Sequence, residues 1–165
     1  MAILDTLEHA GDARPMPGSL PTHYRYTAGV AGQRYLAALR DTGDFLGAHC
    51  DKCGYTYVPA RTYCERCFAT LPESAWVKVG PGGTLLSFTV VHVDLNGHPL
   101  HPPRTLGLIQ LDGGDGALVH DLGELGGQAP RVGMRVTAVL KPKAERTGSI
   151  LDTRHFRPEQ PTDSG

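Results

Sequence analysis

The sequence lacks any long run of apolar residues, although 40% of its 165 residues are hydrophobic. A helix that spans a membrane needs about 20 consecutive, mainly apolar residues, so a membrane span is excluded. The first eleven residues carry Asp5 and Glu8 and have no apolar centre. We therefore expect no secretory signal peptide, and we expect the chain to reside in a reducing cytoplasm.

Excess positive charge is missing as well. The chain has 16 Lys and Arg against 17 Asp and Glu, a formal net charge of −1, and only four of the basic residues are lysines. Proteins that bind nucleic-acid phosphates usually carry a basic patch or stripe. The composition therefore disfavours a nucleic-acid-binding role.

Cysteine is scarce, and its spacing is the most informative feature of the chain. The only four cysteines form two Cys-x-x-Cys pairs, Cys50 with Cys53 and Cys64 with Cys67, separated by ten residues. Two pairs at this distance predict a tetrahedral four-thiolate metal site in a small ribbon. If a metal binds all four thiolates, no cysteine remains as a nucleophile.

Other interpretations of the cysteines remain open. Disulfides suit secreted chains, and a single Cys-x-x-Cys pair also occurs in thioredoxin-like redox proteins. Tetrahedral sulfur sites accept zinc or iron. We expect structural zinc, the usual metal of ribbons, and retain rubredoxin-type iron as the less favoured alternative.

The 21 glycines and 13 prolines favour turns and short strands over long helices. One helix is predicted over residues 31–40, with Gly43 as its C-terminal cap. A strand at 45–49 leads into Cys50, and residues 55–58 and 61–63 are predicted as the two arms of a ribbon hairpin. A further strand is expected at 76–79.

Five strands after the ribbon, at 84–94, 105–111, 117–122, 134–140 and 149–156, predict a small closed barrel. The OB-fold is the simplest candidate, and an SH3-like barrel is the runner-up. The expected fold is mainly β, with an N-terminal helix, a rubredoxin-like zinc ribbon and a five-stranded OB-fold barrel. The predicted divisions are a flexible arm (1–22), a helical segment (23–44), the ribbon (45–80), the barrel (81–158) and a flexible tail (159–165).

The order of these parts resembles a known family. The matching pieces are Tyr-Thr-Ala-Gly at 26–29, Cys-x-x-Cys-Gly at 50–54, Val-Pro at 58–59, Cys-x-x-Cys at 64–67, Gly-Thr-Leu-Leu-Ser-Phe-Thr-Val-Val at 83–91, Arg-Val-Gly-Met-Arg-Val at 131–136 and Phe-Arg-Pro at 156–158. Together they resemble the zinc-ribbon plus OB-fold proteins catalogued as domain of unknown function 35. The combination is specific, whereas no single piece is.

This resemblance implies a non-catalytic accessory subunit in lipid or other acyl-CoA metabolism. Family members associate in hetero-oligomers with thiolase-like condensing enzymes, retro-aldolases or hot-dog hydratases, and they are thought to help form the acyl-CoA site. The residues agree with this role, because the chain has no Gly-x-Ser-x-Gly elbow and no phosphate-binding loop signature.

Five residues are candidates for contacts with acyl-CoA or the partner enzyme. Arginine suits the phosphates of CoA because its planar guanidinium matches phosphate oxygens, and all six tyrosines precede the predicted barrel. Surface solvation of the arginines and local packing of the tyrosines are the alternatives. The candidates are Arg25, Tyr26, Tyr35, Arg40 and Arg104.

Two other function classes remain. Ribbons and OB barrels both serve in single-stranded nucleic-acid binding, although the predicted barrel has only Phe88 and Phe156 for base stacking. An independent enzyme would have to use the polar residues near the end of the first barrel strand. Their spacing is irregular, which favours a polar loop. These residues are His92, Asp94, His98 and His101.

Overall fold

A computed structural model describes residues 26–159 together with His9, Gly11 and Gly18. The helix α1 spans Gly29–Asp41, and eight strands follow. They are β1 (Phe45–Cys50), β2 (Tyr55–Tyr57), β3 (Trp76–Val79), β4 (Gly82–Val93), β5 (Pro99–Leu111), β6 (Ala117–Leu122), β7 (Arg135–Leu140) and β8 (Thr153–Pro158). No helix within the described residues has the length and apolarity needed to cross a membrane. Almost all of the predicted arm (1–22) and of the predicted tail (159–165) lies outside the described residues.

The helix α1 ends where the sequence indicated. The amides of Thr42 and Gly43 both donate to the carbonyl of Ala38, at 3.0 and 2.9 Å. Gly43 adopts φ 82°, the left-handed conformation that glycine reaches without a steric penalty. The helix begins two residues earlier than predicted, and it buries Tyr35 and Leu39 against the rest of the molecule.

The ribbon strands pair differently from the prediction. β1 is the central strand of a three-stranded antiparallel sheet, with β2 on one side and β3 on the other. Residues 55–57 therefore pair with β1, not with 61–63, and Tyr63 forms only an isolated bridge with Thr70. The reason is local: the chain reverses at Gly54, directly after Cys53, which brings Tyr55 back opposite Cys50.

The five remaining strands close into a barrel in the order β4-β5-β6-β8-β7. All neighbours are antiparallel except β6 and β8, which run parallel at Leu122 and Phe156, and β4 closes the barrel on β7. This order is that of an OB-fold, so the predicted fold class is confirmed. Gly107 is required inside the barrel, since a Cβ there would lie 2.7 Å from Leu85 Cδ1.

Of the barrel strands, β5 and β8 depart most from their predicted limits. β5 begins at Pro99 rather than at residue 105, because β4 and β5 continue their pairing beyond the barrel as far as Val93 opposite Pro99. β8 begins at Thr153 rather than at 149, because residues 150–152 form a 3-10 turn capped by Ser149.

One hydrophobic core joins the helix, the ribbon sheet and the barrel. The ring of Phe45 in β1 lies 6.4 Å from that of Tyr35 in α1 and 6.4 Å from that of Phe156 in β8. A turn of the barrel also binds the ribbon, as the Thr56 amide donates to the Asp115 carboxylate at 2.7 Å. The division predicted between residues 80 and 81 thus crosses a continuous core.

Candidate metal centre

The first pair of cysteines lies on a tight turn at the end of β1. The carbonyl of Cys50 accepts the amides of Cys53 and Gly54, at 3.1 and 2.7 Å. Gly54 adopts φ 61°. This turn directs both sulfur atoms of the pair toward one point.

The second pair repeats the first with a different residue at the corner. The Phe68 amide donates to the Cys64 carbonyl at 2.9 Å, and the Cys64 amide donates to the Ala69 carbonyl at 2.9 Å. Phe68 follows the pair as Gly54 follows the first, and it adopts φ 56°. An aromatic residue in the left-handed region is unusual, and this one leaves 83% of its surface exposed.

The two turns bring all four sulfur atoms within 4.8 Å of one another. The Sγ atoms of Cys50 and Cys67 are 3.6 Å apart, and those of Cys53 and Cys64 are 3.8 Å apart. A tetrahedral site with metal–sulfur distances of about 2.3 Å requires sulfur atoms about 3.8 Å apart. All four thiols are free rather than joined in disulfides. The four cysteines are therefore placed to bind a metal ion.

Tyr57 assists the ionisation of one thiol. Its hydroxyl oxygen accepts the Glu65 amide at 3.1 Å and lies 3.3 Å from the Cys64 sulfur, to which it can donate. This contact lowers the pKa of Cys64 to about 6. Without a cation, the bond to Cys67 and the burial of the site raise the pKa of Cys53 to about 12. A divalent cation would offset the effect by which neighbouring thiols hinder one another's ionisation, because the thiolate is the form that binds metal.

The alternation along β2 could have revealed the role of Tyr57, although our sequence prediction did not include it. Cys50 pairs with Tyr55 and Ala48 with Tyr57, so these four side chains lie on one face of the sheet. The unusual conformation of Phe68, by contrast, has no sequence signal beyond its position after a Cys-x-x-Cys pair.

Replacing Phe68 by glycine is expected to stabilise the protein. A left-handed residue other than glycine costs about 1–2 kcal/mol, which the glycine variant avoids. Glycine loses more chain entropy on folding, and this loss offsets about 0.5–1 kcal/mol of the stabilisation. We expect Phe68→Gly to raise the free energy of unfolding by about 0.5–1 kcal/mol in urea denaturation of the metal-loaded protein.

Phe68→Ala is the matched control, since it removes the same ring and keeps the unfavourable φ. Gly54→Ala is the converse test, because a Cβ at Gly54 would have no atom within 4 Å and only its φ of +61° is unfavourable. Equal stability of the glycine and alanine variants at position 68 would contradict the explanation.

The five predicted contact residues lie at separate places. Arg25 is outside the described residues. Tyr26 precedes α1 with 87% of its surface exposed, whereas Tyr35 is 2% exposed and packs in the core. Arg40, in the last turn of α1, binds Asp41 at 2.7 Å. Arg104, on β5, forms a two-pronged bond with Asp121 of β6, from Nε to Oδ1 at 3.1 Å and from Nη2 to Oδ2 at 2.7 Å.

The histidines near the end of β4 do not form a metal cluster. His98 contacts Asp94 at 3.2 Å, and this loop ion pair is exposed. Within residues 26–159, the four cysteines are the one group of three or more potential ligands close enough to share an ion. The geometry agrees with the polar loop that the irregular spacing favoured.

Two family descriptions match the chain and together cover well over half of it. Residues 37–73 match "ChsH2, rubredoxin-like zinc ribbon domain", and residues 76–141 match "ChsH2, C-terminal OB-fold domain". A curated relative from Methanocaldococcus jannaschii, a "DUF35 domain-containing scaffold protein", is 28% identical over 99 residues, which cover 58% of this chain and 67% of the relative.

Two solved structures share the fold. A DUF35-family protein of unknown function from Sulfolobus solfataricus matches with a TM-score of 0.59 and 25% identity, over 79% of this chain and 84% of the other. A chain of the "Ltp2-ChsH2(DUF35) aldolase" matches with a TM-score of 0.54 and 21% identity, over 81% and 98%. The ribbon, the barrel and these matches together show that the chain belongs to the zinc-ribbon plus OB-fold family catalogued as domain of unknown function 35.

Proposed function

We propose that this protein is a non-catalytic accessory subunit of an acyl-CoA enzyme of the thiolase, retro-aldolase or hydratase type. The observation that carries the proposal is the gathering of all four cysteines into one cluster within 4.8 Å. Thiolase-type condensation needs a free cysteine thiolate. A chain whose thiolates all bind one metal depends on another polypeptide for that nucleophile.

Membership of the family supports this role. The relative from Methanocaldococcus jannaschii is named a scaffold protein, and the Ltp2-ChsH2 aldolase, which shares the fold, is named for two components. By analogy, the present chain forms a hetero-oligomer with its enzyme and contributes to the acyl-CoA site at their interface. Tyr26 and Arg40 are the described residues that we propose as contacts, together with Arg25.

Zinc is the metal that we propose for the four cysteines, with iron as the alternative. A closed site of four thiolates leaves no position for substrate, so the metal stabilises the ribbon rather than acting on the acyl group. The proposed compartment is the cytoplasm, where thiols remain reduced and available to the metal.

The proposal is tested by co-expression with acyl-CoA enzymes of the thiolase, retro-aldolase and hydratase types from the same genome. We expect this chain and one of these enzymes to elute together in gel filtration, acyl-CoA turnover to require the enzyme, and the accessory chain alone to show none. Absence of a complex would contradict the proposal, as would an acyl adduct on a cysteine of the isolated chain. Oligonucleotide binding that weakens steeply with salt would favour the nucleic-acid alternative.

Arg40→Ala tests the proposed CoA contact, and Arg154→Ala, an exposed arginine on β8, is the matched control. We expect the Arg40 variant to raise the KM for acyl-CoA several-fold, as loss of a charge-assisted phosphate contact does, and the control to leave it unchanged. Equal KM values for the two variants would exclude the contact.

A further inference from the structure

The hairpin of β4 and β5 extends well beyond the barrel. β7 pairs with β4 only at residues 82–84, and β6 pairs with β5 only from Thr105 onward. From residue 86 onward the outer edge of β4 has no neighbouring strand among those described, and from residue 91 to 104 the hairpin is two-stranded. We call residues 86–104 the β4–β5 arm. Among the described strands, none covers either of its edges. An isolated two-stranded hairpin is marginally stable in water, so an arm of this length favours a partner.

Both faces of the arm carry exposed apolar side chains. Phe88 and Val90 lie on the face that continues the barrel interior, and they are 38% and 41% exposed. On the opposite face, Val91 and Leu106 belong to a groove of about 470 Å³. The rest of its wall, near the tip of the arm, is mixed: Val93, Leu95 and Leu100 are apolar, whereas Asp94, Asn96 and Arg104 are polar or charged.

The arm offers no unpaired formal charge. Its two charged side chains are Asp94 and Arg104. Asp94 accepts the amides of Asn96 and His98, each at 2.8 Å, and Arg104 binds Asp121. A membrane headgroup or a nucleic-acid phosphate would find no free cation on the arm. Apart from His92, His98 and His101, the arm therefore offers a partner mainly apolar side chains and no free lysine or arginine, as the buried centre of a protein–protein interface does.

The two edges of the arm differ in a way that indicates how a partner approaches. β5 carries Pro99, Pro102 and Pro103, which lack the N–H that a neighbouring strand would need. β4 has no proline from residue 86 to 93, so its outer edge offers a full row of backbone donors and acceptors. Such an edge accepts an added strand from another polypeptide.

We infer that the β4–β5 arm inserts into an apolar cleft of the partner enzyme, with the edge of β4 against a strand of that cleft. This inference rests on the proposed function. A cleft covers both faces of the arm, whereas contact with the arm of a second copy would cover only one. Because apolar side chains are exposed on both faces, an occupant that covers both buries more apolar surface than a second copy does.

Three variants test the inference on the complex with the acyl-CoA enzyme that co-expression identifies as the partner. Phe88→Ser and Val90→Ser alter the inner face, and Leu95→Ser alters the fully exposed tip, where the folded chain loses no packing. We expect each to weaken the Kd by at least about tenfold, as truncation of central interface residues does. Val119→Ser is the control, since Val119 is 64% exposed on β6 outside the arm, and we expect a change below about twofold.

Hydrogen exchange gives a second measurement. The amides of residues 86–93 that point outward from β4 are expected to exchange freely in the isolated chain and to become protected in the complex. If the wild type binds and the arm variants bind equally well, the arm inference is wrong while the proposed function stands. If the wild type does not bind, both fail. An isolated chain that dimerises, and that Leu95→Ser returns to a monomer, would assign the arm to a second copy and overturn the inference.

Discussion

Replacement of Cys64 by serine is expected to unfold the metal-binding end of the ribbon while the barrel remains folded. Structural zinc binds to zinc-finger peptides with an apparent free energy of about 10–16 kcal/mol, which is also their folding free energy. The cluster around the cysteines is small, and Cys64 itself is fully buried within it. Without the metal, this cluster cannot offset the conformational entropy of ordering residues 51–70.

The barrel keeps its own packed interior in this variant. The interior consists of side chains that are at most 1% exposed. They belong to the large core cluster and not to the smaller cluster around the cysteines. They are Leu85, Ile109, Leu111, Val136 and Phe156. We therefore expect protease cleavage and fast hydrogen exchange confined to the ribbon end, together with loss of bound metal in elemental analysis.

Tyr57→Phe is the matched control for Cys64→Ser. It removes the hydroxyl that lies 3.3 Å from the Cys64 sulfur and leaves all four sulfur atoms in place. This variant is expected to retain one metal ion per chain with weaker affinity, as loss of an outer hydrogen bond typically costs about 10–100-fold. A serine variant that still holds stoichiometric metal and a protected ribbon would contradict the assigned centre.

The second large effect is expected from Phe45→Ala. Phe45 is 1% exposed, and its ring lies between those of Tyr35 and Phe156. Removal of a buried phenylalanine ring costs about 3–5 kcal/mol through lost burial and the remaining cavity. Because this ring joins helix, sheet and barrel, all three are expected to lose stability together, unlike the local effect at Cys64.

Two probes in one urea titration separate these outcomes. The single tryptophan, Trp76 in β3, reports on the ribbon sheet, and hydrogen exchange in β6 reports on the barrel. Both unfolding transitions are expected to move to lower urea concentration, and both are expected to report the same loss in the free energy of unfolding. Val77→Ala, at a half-exposed position of β3, is the control and should cost about 0.5 kcal/mol or less. A shift of the Trp76 signal alone would show that the core is not shared.

The cysteine cluster and the fold class could be predicted from the sequence because their signals are local. Ligand spacing is a property of a few neighbouring residues, and strands such as 117–122 alternate within one short run. Strand pairing is less local. Residues 61–63 have good strand composition, yet residues 55–57 pair with β1 instead, because the turn at Gly54 brings them back beside it. Composition cannot decide between two competing partners of one strand.

The packing partner of a buried aromatic residue was equally hard to predict. Tyr35 precedes the barrel like the other tyrosines, but its position on the inner stripe of α1 places it against Phe45. The length of the β4–β5 arm was also missed, because prolines usually end a strand. In this hairpin the prolines lie on residues 99–104 of β5, which pair only with β4 among the described strands. No other described strand therefore requires their missing N–H groups.

The six residues of β1 perform two tasks at opposite ends. Phe45 enters the common core, and Cys50 enters the cysteine cluster. A descendant of this protein that lost its thiols in evolution would thus still hold β1 firmly, through the aromatic end of the strand. The β1–β3 pair would then persist without metal while residues 51–70 are no longer ordered, whereas loss of the aromatic anchor would separate the two halves of the molecule.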